Sequence, residues 1–344
     1  MGGAQSVLVN LTNSLINEGH DVIVISEIEG SMWDILPGEA IKEEIPSLQR
    51  SINPVKDLKT VCRLRRLYKK YRPDVIHLHS SKIGMLGRIA FPRNKIVYTV
   101  HGFDSIRIAN PRLLLLERLF KNRAKYIVGV SQYDLIYLQK ENIKDNSSYI
   151  YNGIWDSSSE KRIIPPALFT EIISKYSFVI LTIARFSVQK KFDLFCEIAS
   201  LLKDENIAFF WIGNQYIPDR LPENVYCMGS IKNAYRYIPF VDLCILPSNY
   251  EGLPIFIIES LLYGKPVVAS NVGGISEILD GTNGFAVDNS PDRFVEKIMY
   301  YRNDKNAYKA ACKHARETYI EKFTIEHMYT KYLSLYKNII SSNK

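Results

Sequence analysis

The sequence predicts an α/β protein built from two parallel-sheet domains, and three observations carry that prediction. First, residues 243–270 read as strand, loop, helix and strand, the pattern of a parallel crossover unit. Second, short apolar strands alternate with amphipathic helices on both sides of that unit. Third, 344 residues give length for two cores, and a polar stretch containing serine and proline divides the chain near its middle. The boundaries expected are 1–155 for the first domain, 156–170 for the linker, 171–322 for the second domain and 323–344 for a closing helix.

In chain order, Gly2-Gly3 leads into a helical pattern through Val7, Leu8, Leu11 and Leu15, and a strand is expected over 21–26. Residues 56–72 form a basic amphipathic helix, with Leu58, Val61, Leu64 and Leu67 as the expected buried stripe. Strands are expected at 74–79 (DVIHLH) and 95–100, the second ending at His101-Gly102-Phe103-Asp104. A helix with basic flanks covers 112–123, and a strand covers 126–130. In the second half, strands are expected at 178–183, 209–213 and 225–229, with a helix at 193–202. Strands 243–246 and 267–270 flank a helix over 254–263. Pro254 suits its first position, Gly264 its left-handed cap, and Pro266 stops it. Residues 323–340 form the last helix.

Composition narrows the class. Hydrophobic residues make up 47% and charged residues 23%, as in ordinary globular proteins. Cys62, Cys196, Cys227, Cys244 and Cys312 are scattered, without metal-ligand spacing or a disulfide framework, which fits a reducing compartment. No run approaches the roughly 20 apolar residues of a spanning helix. The net charge of +8 favours anionic partners, and no nucleic-acid-binding signature is visible. Lipid headgroups and substrate phosphates are therefore the expected partners, and nucleic acid is not. The basic helix at 56–72 and the helix at 112–123 are candidates for contact with an anionic membrane surface.

Two carboxylates stand out. Glu251 lies in the loop before the helix at 254–263, where an acid also favours the helix dipole. Glu259 lies inside that helix among Ile257, Ile258, Leu261 and Leu262, so it is expected to be buried and to need a partner. The pair is followed by Gly264-Lys265-Pro266-Val267-Val268 and Gly273-Gly274. This combination resembles the signature of the retaining glycosyltransferases of family 4, and the resemblance runs over almost the whole chain.

The resemblance implies the GT-B fold, two Rossmann-like parallel-sheet domains facing a cleft, with the last helix crossing back to the first domain. In that family a strand precedes the Gly-Gly loop. Here Gly2-Gly3 opens the chain, so the expectation is a first N-terminal strand missing from this sequence and a start lying upstream of Met1. The resemblance also implies roles. Glu251 would bind donor-sugar hydroxyls and favour oxocarbenium charge, Glu259 would accept bonds from the ribose hydroxyls, and His101 would orient a sugar hydroxyl. His77 and His79 read as structural. Arg185 and Lys190 suit a diphosphate, with Lys191 standing where the family has glycine. Gly2, Gly3, Gly252 and Leu253 would approach phosphate through backbone N–H groups at helix starts.

The chain contains no Asp-x-Asp, so a metal-independent reaction without cofactor is expected. The implied activity is transfer of a hexose-type sugar from a nucleotide diphosphate sugar, with UDP as the nucleotide, to a glycan or a polyprenyl-diphosphate-linked acceptor in surface polysaccharide biosynthesis. The implied location is the cytoplasm, peripheral on the inner membrane face. Two other readings stay open: a catalytically impaired remnant lacking the first strand, and a GT-B-fold UDP-sugar epimerase. A dehydrogenase is disfavoured, because no G-x-G-x-x-G follows a strand.

Overall fold

The structure is a computed structural model that describes residues 2–27, 32–49, 51–160 and 163–343. Met1 and residues 161–162 of the expected linker lie outside them. The chain divides into two compact units, Met1–Trp155 with Ile325–Lys344, and Asp156–Thr324.

The first unit runs through α1 (Gly3–Asn17), β1 (Ile23–Ser26), β2 (Ile41–Glu44), α2 (Pro54–Tyr71), β3 (Ile76–His79) and α3 (Ser81–Ala90). It continues with β4 (Ile96–Val100), α4 (Asp104–Arg107), α5 (Pro111–Leu119), β5 (Tyr126–Gly129), α6 (Gln132–Lys140) and β6 (Ser147–Tyr149). Its strands form two parallel sheets. One pairs β1 with β2, and the other has the order β3-β4-β5-β6. Every residue of β4 is buried, which is why IVYTV reads as an unbroken apolar run rather than an alternation. The helices pack over it through Leu64, Leu67, Leu86 and Ile106.

Helix α2 begins where Asn53 accepts the amide of Lys56 and Pro54 takes the first turn. Its buried face differs from the expected one. Val61, Leu64 and Leu67 are covered, but Leu58 is 65% exposed. Asp57 turns inward instead, ion-paired to Lys82 at 2.7 Å and accepting the Asn53 amide. Leu58, about 100° further round the helix, therefore faces outward. Helix α5 is shorter than expected, and its inward residue is Glu117. That carboxylate pairs with the buried Arg88 at 2.7 Å and accepts from Tyr98 Oη, tying α3 and α5 to β4.

The second unit contains α7 (Ala167–Ile173), β7 (Phe178–Ile183), α8 (Phe192–Leu201), β8 (Ile207–Ile212), β9 (Val225–Cys227), β10 (Leu243–Leu246), α9 (Ile255–Leu262) and β11 (Val267–Ser270). Helix α10 (Ile275–Ile278), β12 (Gly284–Val287), α11 (Pro291–Asn303) and α12 (Lys305–Lys322) complete it. The sheet is parallel, in the order β12-β11-β10-β7-β8-β9. The chain moves outward from β7 to β9, then returns to lay β10 against the other edge of β7. The order thus reverses between β7 and β10, and ligands in open α/β sheets bind outside the strand ends at such a switch point.

The final helix, α13 (Ile325–Ser342), belongs to the first unit. Met328 accepts the Gly153 amide, and Tyr336 bonds to His77 in β3. Three strands escaped the sequence reading: β2, β6 and β12. Each lies at the edge of its sheet. The first two are IKEE and SSY, where partial exposure removes the apolar signal.

Candidate active site

In the second unit, two loops meet at the switch point. The loop after β7 carries Arg185 and the helical turn Val188–Lys190. The loop after β10 carries Ser248 to Leu253. Backbone and amide groups zip them together. The Asn249 amide donates to Gln189 O at 2.8 Å, Asn249 Nδ2 to Val188 O at 2.7 Å, and Gln189 Nε2 to Tyr250 O at 2.8 Å.

This lacing brings Lys190 Nζ onto Glu251 Oε1, and Ser248 Oγ donates to the same oxygen at 2.6 Å. Glu251 is only 6% exposed, so its charge is matched by an ammonium and a hydroxyl rather than by water. Among the described residues, Glu251 Oε2 has no hydrogen-bond partner. Arg185 is exposed at the same strand edge, and its guanidinium has no partner among the described residues. Gly252 and Leu253 follow directly, Leu253 being buried.

The Gly-Gly turn belongs to the same construction. Gly273 has φ +58°, and a Cβ there would lie 1.9 Å from Glu251 O. Gly274 N donates to Gly252 O at 2.9 Å. The turn is therefore a backbone-on-backbone contact behind the acid loop, which a side chain would wedge apart. Below it, Ser270 Oγ accepts the Ser248 amide at 2.8 Å, and Asn289 Nδ2 donates to Ser248 O at 2.8 Å.

Glu259 departs from expectation. Its neighbours on α9 are buried, yet its carboxyl has no hydrogen-bond partner among the described residues. Burial pushes it up to about 8 from the ordinary 4.5. The group keeps an accessible edge and holds a proton instead of taking a protein partner. Lys191, where the family has glycine, adopts φ +39° and ψ 58°, the left-handed backbone that glycine would take without strain.

In the first unit, Gly2 precedes α1. Its carbonyl accepts the amides of Gln5 and Ser6, and Gln5 Oε1 accepts the Gly2 amide at 2.9 Å. A Cβ at Gly2 would meet nothing within 4 Å, and φ is −117°, so the protein itself does not require glycine there. Gly3 opens the helix and is exposed.

His101 stands just past β4, and its Nε2 is 3.0 Å from His79 Nδ1. His77, two residues before His79 on the same face of β3, packs against it with ring centroids 4.0 Å apart and planes tilted by 36°. Burial pulls His101 down to about 4 and His77 to about 3, and holds His79 well below the ordinary range. The column is therefore uncharged at neutral pH. Asp134 fixes the loop beside it, accepting the Phe103 amide at 2.7 Å and the Val130 amide at 3.1 Å.

The structure thus joins Lys190 to Glu251, with Gly252 and Leu253 following in the same loop, Arg185 exposed just past the end of β7 and Glu259 on the helix that follows. Gly2, Gly3 and His101 belong to the other unit. Sequence reasoning missed Ser248, Gln189 and Asn289 in the second unit and Asp134 in the first. It also assigned His79 a structural role only. The alternating His-x-His of β3 was the available signal for the packed pair.

Residues 1–157 match the family Glycosyltransferase Family 4, and residues 177–304 match Glycosyl transferases group 1. The chain belongs to the group 1 glycosyltransferases. Its two parallel-sheet units are those of the GT-B fold. The chain is similar to an Escherichia coli UDP-Gal:alpha-D-GlcNAc-diphosphoundecaprenol alpha-1,3-galactosyltransferase, 27% identical over 367 residues that cover 99% of this chain and 95% of the relative. It is 26% identical to the E. coli O-antigen biosynthesis glycosyltransferase WbnH, over 99% of this chain and 96% of that one. Among solved structures, Anabaena Alr3699/HepE in complex with UDP and glucose superposes with a TM-score of 0.82. That alignment covers 97% of this glycosyltransferase and 95% of HepE at 18% identity, a likeness of fold.

Proposed function

We propose that this glycosyltransferase is a retaining, metal-independent enzyme that moves a hexose from a nucleotide diphosphate sugar, with UDP as nucleotide, to a lipid-diphosphate-linked or glycan acceptor in surface polysaccharide synthesis. The observation that carries this reading is the cluster at the β7/β10 switch point. Arg185 stands exposed past the end of β7, Glu251 holds Lys190 and Ser248 through one oxygen only, and among the described residues neither the Arg185 guanidinium nor the Glu259 carboxyl has a partner. A diphosphate supplies the charge that Arg185 and Lys190 match, in a planar fork and a point charge. Ribose hydroxyls supply the donors that Glu259 lacks. The names of the similar E. coli enzymes support the acceptor class, and the UDP bound by HepE supports the nucleotide.

In this mechanism the bond from the anomeric carbon to the β-phosphate oxygen breaks as the acceptor oxygen approaches from the same face. The acceptor's proton passes to the departing phosphate oxygen. Arg185 and Lys190 stabilise the diphosphate as its charge grows. Glu251 Oε2 accepts from a donor-sugar hydroxyl and favours the positive charge on the ring, and His101 orients a second hydroxyl. Backbone N–H groups near Gly2, Gly3, Gly252 and Leu253 approach the phosphates.

The test is turnover with a panel of nucleotide sugars, UDP-galactose first, with and without EDTA and acceptor, and anomeric analysis of the product by NMR. We expect acceptor-dependent transfer with retention, unaffected by EDTA. Glu251→Gln should lower kcat by roughly a hundredfold or more. An inverted product, or conversion of the donor without acceptor, would overturn the reading.

The protein also works at a membrane surface on the cytoplasmic side in this proposal. Ile52 just before α2 and Val55 and Leu58 in its first turns are outward, 65–69% exposed. Lys56, Lys59, Arg63 and Arg66 flank them. Leu115 and Leu119 on α5 are about as exposed. An apolar ridge within a basic field is the pattern of an interfacial helix. Among the described residues, no helix is long and apolar enough to cross a membrane.

A further inference from the structure

The imidazoles of His77, His79 and His101 pack in one column that runs from α13 to just past β4. His77 is held at both nitrogens, Nδ1 by Tyr336 Oη and Nε2 by Thr99 Oγ1, each at 2.7 Å. Thr99 Oγ1 is in turn 2.9 Å from Tyr332 Oη. His79 lies against His77 at 4.0 Å between centroids, and His101 stacks on His79 at 5.3 Å with planes 22° apart. A single hydrogen bond joins the middle ring to the last, His79 Nδ1 to His101 Nε2 at 3.0 Å. Among the described residues, His101 Nδ1 and His79 Nε2 have no partner, and both rings keep an accessible edge.

We propose that His79 is a positioning residue for His101, fixing through this bond both the ring plane and the tautomer that His101 presents to substrate. Two neutral imidazoles that share one hydrogen bond hold one proton between the bonded nitrogens, so the tautomer of one ring dictates that of the other. With His79 protonated on Nε2, its Nδ1 is an acceptor. His101 then donates from Nε2–H and its Nδ1 is left as an acceptor for a hydroxyl; with His79 protonated on Nδ1, His101 accepts at Nε2 and presents Nδ1–H as a donor. Neutrality follows from burial, and rigidity follows from the doubly bonded His77 behind. The functional half of this inference rests on the proposed role of His101; the tautomer half does not.

The test compares His79→Asn with His79→Gln in the full chain. The asparagine side chain places its terminal amide near the position of Nδ1, as acceptor or donor, whereas glutamine reaches past it to the position of Nε2. Long-range proton–nitrogen spectra of histidine-labelled protein read the tautomer directly. We expect wild type and His79→Asn each to show His101 in a single tautomer. His79→Gln should show a mixture, with kcat lower by roughly tenfold or more and the KM for donor little changed, the scale at which groups that orient an imidazole act. His79→Asn should restore most of the lost turnover. An unchanged tautomer in His79→Gln overturns the proposal, as does an equal loss in both variants, which marks a packing role. If His101→Ala keeps wild-type turnover while the tautomer still responds to His79, the proposed role of His101 fails and the positioning geometry stands.

Discussion

Two side chains in the second unit, Glu259 and Lys191, carry a cost in the fold. Glu259 titrates near 4.5 in an unfolded chain and near 8 in the fold. Folding therefore takes up a proton between those values, and the stability tied to this group is present below about 4.5 and lost as pH rises through about 8. Glu259→Gln should melt higher than wild type, by a margin that widens from pH 5 to pH 8 in calorimetric scans. The same variant should bind nucleotide more weakly. In wild type the ionised carboxyl is the stronger acceptor for ribose hydroxyls, so affinity should rise from pH 6 to pH 8 and proton release should accompany binding. Titration calorimetry in two buffers of different ionisation enthalpy measures both, and a pH-independent affinity would refute the role. Lys191 is the second case. Its left-handed backbone costs a residue with a Cβ, so Lys191→Gly should stabilise the protein by about 1 kcal/mol in denaturant titrations.

At the scale of elements, the site depends on loops that are held by backbone rather than by bulky contacts. The loops after β7 and β10 are laced by Gln189 and Asn249, and the Gly273-Gly274 turn braces Glu251 from behind. Gly273→Ala would drive a methyl into Glu251 O, an atom that cannot rotate away as a side chain would. We expect a loss of about 2 kcal/mol or more in stability and a fall in kcat as Glu251 shifts, read by melting and by turnover together. The signature Glu251, Glu259 and Gly273-Gly274 was legible because each residue sits at a fixed offset within one strand–helix–strand unit. The lacing was not legible, because Gln189 and Asn249 lie 60 positions apart and carry no periodic signal. The buried stripe of α2 was misjudged by one position for a related reason. An inward Asp57 is set by its partner Lys82 on another helix, and apolar periodicity does not count carboxylates.

For the whole molecule, the proposed membrane contact rests on the net charge of +8 and on the exposed Val55 and Leu58 of α2. Binding to vesicles containing anionic lipid should exceed binding to neutral vesicles and should fall as salt rises, since screening shortens the reach of exposed charges. Replacing Val55 and Leu58 with serine should reduce co-sedimentation with the anionic vesicles. Melting should stay nearly unchanged, because neither side chain contributes to the core. Equal sedimentation of the variant and wild type would count against the ridge as the contact surface.

The sequence by itself determined the class of protein: alternating strands and helices, two units, and one acid-helix-glycine signature that identifies a glycosyltransferase. These are local properties, fixed by periodicity, caps and short spacings that neighbouring residues impose on one another. Tertiary structure alone decided which polar groups face each other. It paired Lys190 with Glu251, left Glu259 without a partner among the described residues and brought His101 against the two histidines of β3. It also placed β2, β6 and β12 at sheet edges. The physical reason is that hydrogen bonds and charge pairs depend on approach within a few ångströms, and crossover connections bring together residues whose distance along the chain carries no trace of that approach.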